Sequence, residues 1–154
     1  MFKNREHCYL AAPFFNDEQR NLATYIEGME TIDQPIYSPR KDGYVLSPDA
    51  TNEQRKEIFD SNVMAIVAAR FVLCVIDNFD PGVMFELGVA YRAAVPVLAY
   101  SDVEGRGLNV MLAGAASLGF INGREDLKSL FKQLRTDVSI EDIAPRNTWA
   151  GEIQ

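Results

Sequence analysis

The run Phe71-Val72-Leu73-Cys74-Val75-Ile76 constrains the fold more than any other stretch of the chain. Six apolar residues in a row, stopped by Asp77, do not alternate as a half-exposed strand would. The run is also short for a helix. It predicts a central strand covered on both faces, and such strands belong to parallel sheets with helices on either side.

The remaining segments fit that frame. His7–Ala12 has strand character and stops at Pro13. Pro35–Ser38 is a weak second strand, Pro96–Tyr100 a fourth and Leu118–Ile121 a short fifth. Helices are predicted between them. Asn16-Asp17-Glu18-Gln19 has the form of a capping box, with Asn16 at the N-cap and Gln19 able to reach back. It opens a helix to about Met29. Thr51-Asn52-Glu53-Gln54 repeats the pattern before a helix to about Val67, with Ile58, Phe59, Asn62, Val63, Ile66 and Val67 near one face. Further helices are expected at Val83–Ala94, Asn109–Ala116 and Arg124–Leu134. Residues 39–48 form a long polar loop, a kind that is usually functional or mobile.

The expected fold is therefore α/β. It is a three-layer sandwich with a five-stranded parallel sheet in the flavodoxin-like order 2-1-3-4-5, with helices on both faces and right-handed crossovers. The 154 residues are most simply one domain, 1–154, with a polar C-terminal tail from about 136. Whether that tail docks or crosses to a partner is open in the sequence.

Composition narrows the partners. A net charge of −7 gives no basic face for nucleic acid or for an anionic membrane surface. No apolar run reaches the roughly 18 residues that span a bilayer, and the N-terminus carries no signal-peptide pattern. Cys8 and Cys74 fall in buried strands and read as core residues of a cytoplasmic protein. One histidine, His7, and no Cys/His cluster argue against a zinc site.

In this sheet order the switch point lies between strands 1 and 3, where open α/β sheets place ligands. The loops meeting there are Ala11–Phe15 and Asp77–Phe85. They bring Tyr9, Phe14, Phe15, Asp80 and Glu86 to one crevice. Glu86 has two readings. An acid near a helix start is favoured by the macrodipole alone, and an acid at a switch point is a candidate reactive group. Phe14 and Phe15 are either a hydrophobic staple on the next helix or a flat wall for a planar ligand. Neither Gly-x-Gly-x-x-Gly nor a Walker sequence is present, so the usual phosphate cradles are missing.

Four segments, in order, resemble the nucleoside 2-deoxyribosyltransferase family. They are Tyr9-Leu10-Ala11-Ala12-Pro13-Phe14-Phe15, Tyr37-Ser38-Pro39-Arg40, Asp80-Pro81-Gly82-Val83-Met84-Phe85-Glu86-Leu87-Gly88 and Leu108-Asn109-Val110-Met111-Leu112. The similarity runs from about Tyr9 to Phe131. The Asp-x(5)-Glu-Leu-Gly element joined to a later Asn-x-Met is its most specific part. The resemblance implies a double displacement on 2′-deoxynucleosides and free nucleobases, with no cofactor and no metal. Glu86 would be the nucleophile, forming a covalent deoxyribosyl-enzyme, and Tyr9 would position it. Asp80 and Asn109 would hold the sugar hydroxyls. Asn109 and Met111 would complete a neighbour's site in a homo-oligomer built from dimers, such as a tetramer or hexamer. The helix N-terminus is expected to keep Glu86 ionised.

One residue departs from the pattern. Many members of the family carry an aspartate, which binds or protonates the base, where this chain has Asn62. An amide hydrogen-bonds but does not act as an acid. Asp60 lies about 200° further round the helix and cannot replace it; Asp42 is another candidate helper. Two alternatives to the transferase stand beside it. One is a 2′-deoxynucleoside (5′-monophosphate) N-glycosidase, although the loop Ala11–Phe15 is neither basic nor glycine-rich. The other is a non-catalytic nucleoside-binding domain.

Overall fold

The structure is a computed structural model and describes residues 6–43 and 46–146. Five strands, β1 (Cys8–Ala11), β2 (Ile36–Tyr37), β3 (Phe71–Val75), β4 (Val97–Ser101) and β5 (Gly119–Asn122), form one sheet. Their order is β2-β1-β3-β4-β5 and every pairing is parallel. This is the expected order. The apolar run is the middle strand, and every residue of β3 is buried.

Helices cover both faces. Leu10, Phe71, Leu73, Leu98 and Tyr100 point toward α1 (Asp17–Glu27) and α6 (Arg124–Gln133), meeting Leu22, Ile26, Leu127, Leu130 and Phe131. Tyr9, Ala11, Val72, Cys74, Val97 and Ala99 point toward α3 (Asn52–Val67), α4 (Pro81–Arg92) and α5 (Val110–Ala115). Each fully buried Leu or Ile in these layers contributes about 1.5–3 kcal/mol of transfer free energy. None of the described helices is long and apolar enough to cross a membrane.

Local chemistry sets the helix starts. Thr51 and Gln54 form the full capping box expected at α3. At α1, Asn16 accepts from the Gln19 N–H, but the Gln19 side chain accepts from the Phe15 N–H rather than from that of Asn16. Helix α4 begins at Pro81, earlier than Val83, because Asp80 caps it and proline suits the first helical position. The segment 39–48 is not all loop. Pro39–Asp42 forms a single helical turn, α2, closed by Gly43, where a Cβ would lie 2.4 Å from the Pro39 carbonyl oxygen.

The stripe predicted on α3 departs further from the sequence. Of its six residues only Ile66 is buried, whereas Phe59 and Val67 are exposed. The helix instead seats Ala65 and Ile66 on the sheet. Small residues bring its backbone close to the strands, and that turns the bulkier apolar side chains outward.

The tail docks as far as it is described. Ile140, in the one-turn helix α7 (Ile140–Ile143), is buried in the α1/α6 layer, and the Arg146 N–H donates to the Leu118 carbonyl. Arg70 ties the tail to the amino-terminal end of the sheet, donating to the side chain of buried Gln34 and to the carbonyls of Arg135 and Val138. Trp149 lies outside the described residues. With the amino end closed by this network, the loops at the carboxyl end are left to carry a site.

Candidate active site

The site is built where β1 ends and α4 begins. Tyr9, in β1, is fully buried and points to the α3/α4 side. Its hydroxyl donates to Glu86 Oε1 at 2.5 Å. Glu86 lies in the second turn of α4, beyond the reach of the strongest dipole effect, and the first turn of that helix contains no acid. Macrodipole preference therefore does not explain why a carboxylate is there.

Burial pushes the Glu86 carboxyl up to about 7, and the like charge of Asp80 adds to the rise. The Tyr9 hydrogen bond opposes both. The expectation that the helix N-terminus holds Glu86 fully ionised is thus corrected. Desolvation outweighs a dipole whose effect fades past the first turn. No described Lys, Arg or His forms a salt bridge with Glu86. Tyr9 is itself pushed upward by burial and by Glu86, so it stays a phenol and keeps the proton it donates to Glu86. The result is a carboxyl group close to half-ionised at neutral pH, with one oxygen fixed. Such a group can serve as nucleophile or proton acceptor.

Asp80 and Asn109 both act as helix N-caps. Asp80 accepts from the Val83 N–H at 3.0 Å, and Asn109 from the Met111 N–H at 2.8 Å. In each case a second polar atom of the side chain is outside the cap bond. Phe79, just before Asp80, has φ 46° in the left-handed region. The Arg106 guanidinium lies over its ring, 5.2 Å from the centroid. Backbone strain of this kind collects at functional loops.

The other expected residues are spread more widely. Phe14 and Phe15 stack on each other, centroids 5.3 Å apart, and are 36 % and 70 % exposed. Neither is folded down as a staple. Asn62 is half-buried on α3, which packs against α4. Met111 is 76 % exposed at the start of α5. Among the described residues, no hydrogen bond or ring contact joins Glu86 to Phe14, Phe15, Asn62, Asn109 or Met111. Asp42 is occupied, accepting from the Ser38 N–H, and Asp60 pairs with Lys56 on the surface of α3.

Two features were missed in the sequence. Tyr37 stacks on Tyr9, with centroids 5.6 Å apart and planes 18° apart. No local pattern in the sequence marks it, because the pairing of the two tyrosines comes from the β1–β2 register. Phe59 and Phe85 form an exposed aromatic pair between α3 and α4, at 5.7 Å.

Residues 8–117 match the profile of the nucleoside 2-deoxyribosyltransferase family. The chain belongs to that family. That stretch includes Tyr9, Asp80, Glu86, Asn109 and Met111. Among solved structures, a 2-deoxyribosyltransferase from the psychrotolerant bacterium Bacillus psychrosaccharolyticus is similar, with a TM-score of 0.65 and 23% identity. The match covers 79% of this chain and 90% of that one. A conserved protein from Enterococcus faecalis V583 matches with a TM-score of 0.64 and 22% identity, over 82% of this chain and 97% of that one. At these identities the two structures speak to the fold. No curated protein matches the sequence.

Proposed function

We propose that this member of the nucleoside 2-deoxyribosyltransferase family moves 2-deoxyribose from a 2′-deoxynucleoside to a second purine or pyrimidine base. The observation that carries this reading is the 2.5 Å bond from Tyr9 to a half-buried Glu86 whose carboxyl is pushed up to about 7, in a chain of this family. Glu86 in its ionised form attacks the anomeric carbon. The bond from that carbon to the base nitrogen breaks, and its electron pair leaves with the base. A glycosyl ester forms on Glu86. A nitrogen of the incoming base then attacks the same carbon and releases the carboxylate.

The residues suit each step. A carboxylate is the usual nucleophile at a carbon with oxocarbenium character. Tyr9 fixes Oε1 and leaves Oε2 to attack. A sugar without a 2-hydroxyl ionises readily, so the reaction calls for no metal or cofactor. Asp80 and Asn109 hold the sugar hydroxyls with the polar atoms their caps leave over. Phe14 and Phe15 offer exposed ring faces to a planar base. The protein acts in the cytosol, a reading its two buried free cysteines fit.

Asn109 and Met111 complete the site of a second copy in a dimer-based homo-oligomer. The α3/α4/α5 layer supports this, because it exposes Phe59, Met64, Val67, Phe85, Tyr91 and Met111 together. Mixing inactive Glu86→Ala with inactive Asn109→Ala should then restore some transfer through hybrid dimers. Absence of any restoration, with mixed oligomers present, rejects the sharing.

The test of the activity is direct. The protein is incubated with deoxyinosine and adenine, and separately with thymidine and adenine, and deoxyadenosine is sought by chromatography. Product from both donors means broad specificity, and product from deoxyinosine alone means purine restriction. Free base and deoxyribose without transfer mean an N-glycosidase. No turnover of any deoxynucleoside or its monophosphate rejects the enzymatic reading.

A further inference from the structure

The Tyr9 hydroxyl meets Glu86 Oε1 at 2.5 Å, so the placement of its ring decides whether that bond forms. Its neighbours in the sheet are fixed by register. Tyr9 pairs with Val72 of β3 on one side and with Tyr37 of β2 on the other. Valine is short and branched, and covers little of a phenol ring. Tyr37 packs beside it in an offset stack, 5.6 Å between centroids and 18° from parallel. The ring of His7 also meets Tyr37, tilted by 56° at 5.9 Å. His7 is anchored in turn to α3, its Nε2 2.8 Å from the Ala65 carbonyl oxygen.

Strand β2 has only two residues and forms the sheet edge. A two-residue edge strand is a weak support by itself. Just after Tyr37, however, the chain is pinned. The Ser38 hydroxyl donates to Glu27 at 2.7 Å, and its N–H donates to Asp42 at 2.9 Å. Arg40 closes a 2.5 Å ion pair with the same Glu27. These bonds hold the edge where Tyr37 meets Tyr9. Such investment at a short edge strand is more than the sheet needs.

We propose that Tyr37 is a positioning residue for this site: its ring is the outer wall that keeps Tyr9 in the arrangement from which its hydroxyl reaches Glu86. The inference rests on the reading that Glu86 is the reactive group. Tyr37 acts through the flat face of its ring, so phenylalanine can replace it.

The test follows the Glu86 carboxyl itself, by carbon NMR of protein labelled at the glutamate side-chain carboxyls, with the signal assigned by its loss in Glu86→Gln. The groups that face Glu86 are Tyr9 from β1, Asp80 from the start of α4 and Cys74 from β3, the last kept as a thiol by burial. His7, beside Tyr37, is pushed down by burial. Only the Tyr9 bond pulls the Glu86 titration downward. Tyr37→Ala should therefore move that titration to higher pH, as Tyr9→Phe should, and Tyr37→Phe should leave it in place. Transfer should fall by about tenfold or more in Tyr37→Ala and stay within about twofold in Tyr37→Phe. The double variant Tyr9→Phe/Tyr37→Ala should titrate like Tyr9→Phe alone. If Tyr37→Ala does not fold, Tyr37→Leu keeps most of the volume and removes the flat face. A folded Tyr37→Ala or Tyr37→Leu with the wild-type Glu86 titration overturns the proposal, and so does a double variant whose shift is the sum of the two. Should the titrations move as expected in a protein that transfers no deoxyribose, the functional reading falls and the positioning role stands.

Discussion

Glu86 and Asp102 both lie past the carboxyl end of the sheet, and both accept a short hydrogen bond from a buried tyrosine. Tyr9 donates to Glu86 at 2.5 Å and Tyr100 donates to Asp102 at 2.7 Å. Their electrical states are nonetheless opposite. Asp102 also receives Arg124, whose Nη2 reaches Oδ2 at 2.8 Å and whose Nε reaches Oδ1 at 3.1 Å. That guanidinium holds its carboxyl below the usual range. Glu86 has Asp80 as its charged neighbour, and burial carries it up to about 7. A tyrosine alone does not decide the state of a half-buried acid; the cation does. Asp102 serves as a fastener between the β4 end and α6, and Glu86 is the acid proposed here to react.

The largest effect should come from removing the unpaired acid. Glu86→Gln should lower transfer by roughly 10⁴-fold or more, as loss of a nucleophile does. Its folding should improve. Because the folded pKa of Glu86 is raised from 4.5 to about 7, stability is fully present below about 4.5 and is lost as pH rises through about 7. Thermal melts should thus show Glu86→Gln matching wild type at pH 4.5 and exceeding it at pH 8, by up to about 3 kcal/mol. In wild type, kcat/KM should rise with pH along a limb near 7. A limb near 4.5, or a Gln variant less stable at pH 8, would remove the contrast with Asp102.

The paired acid should behave the other way. Asp102→Asn should cost about 1 kcal/mol at neutral pH, a modest figure because Arg124 is nearly half exposed and the pair is screened. The folded pKa of Asp102 is lowered, so its contribution is present above its unfolded value near 3.8 and is lost as pH falls through the lower folded value. Melts of the two proteins should converge in acid. Transfer by Asp102→Asn should stay within about twofold of wild type. A tenfold loss of activity would make Asp102 part of the site.

The same contrast explains what could be read from the sequence. Sheet order was legible because apolar runs and capping residues are local signals, and both helix starts at Asn16 and Thr51 follow from them. Glu86 and Asp80 were legible as a spaced pair on a strand-to-helix turn. The ionisation of Glu86 was not, because it depends on burial between β1 and α4, which no local rule reports. Tyr37 was hidden for a related reason. A two-residue strand has no periodicity, and its stack on Tyr9 exists only through cross-strand register. The outward face of α3 was misread because Phe59 and Val67 satisfy a helical stripe whether a core or a second copy covers them.

A gain rather than a loss is expected at Asn62, and it sharpens the comparison by adding an acid where the chain has none. Asn62 is half-buried on α3, the helix that packs along α4. As an amide it can hold a base by hydrogen bonds but cannot give a proton to the departing nitrogen. Asn62→Asp introduces a carboxyl without a described basic partner, so burial should raise its pKa and keep part of it protonated at neutral pH, as with Glu86 rather than Asp102. A protonated Asp at this position can protonate the leaving base, and transfer should rise about three- to tenfold or extend to a poorer base donor. Raising pH should erase the gain as the new acid ionises. An Asn62→Asp variant with unchanged rate and unchanged base preference at pH 6 and pH 8 means that leaving-group protonation does not limit this protein.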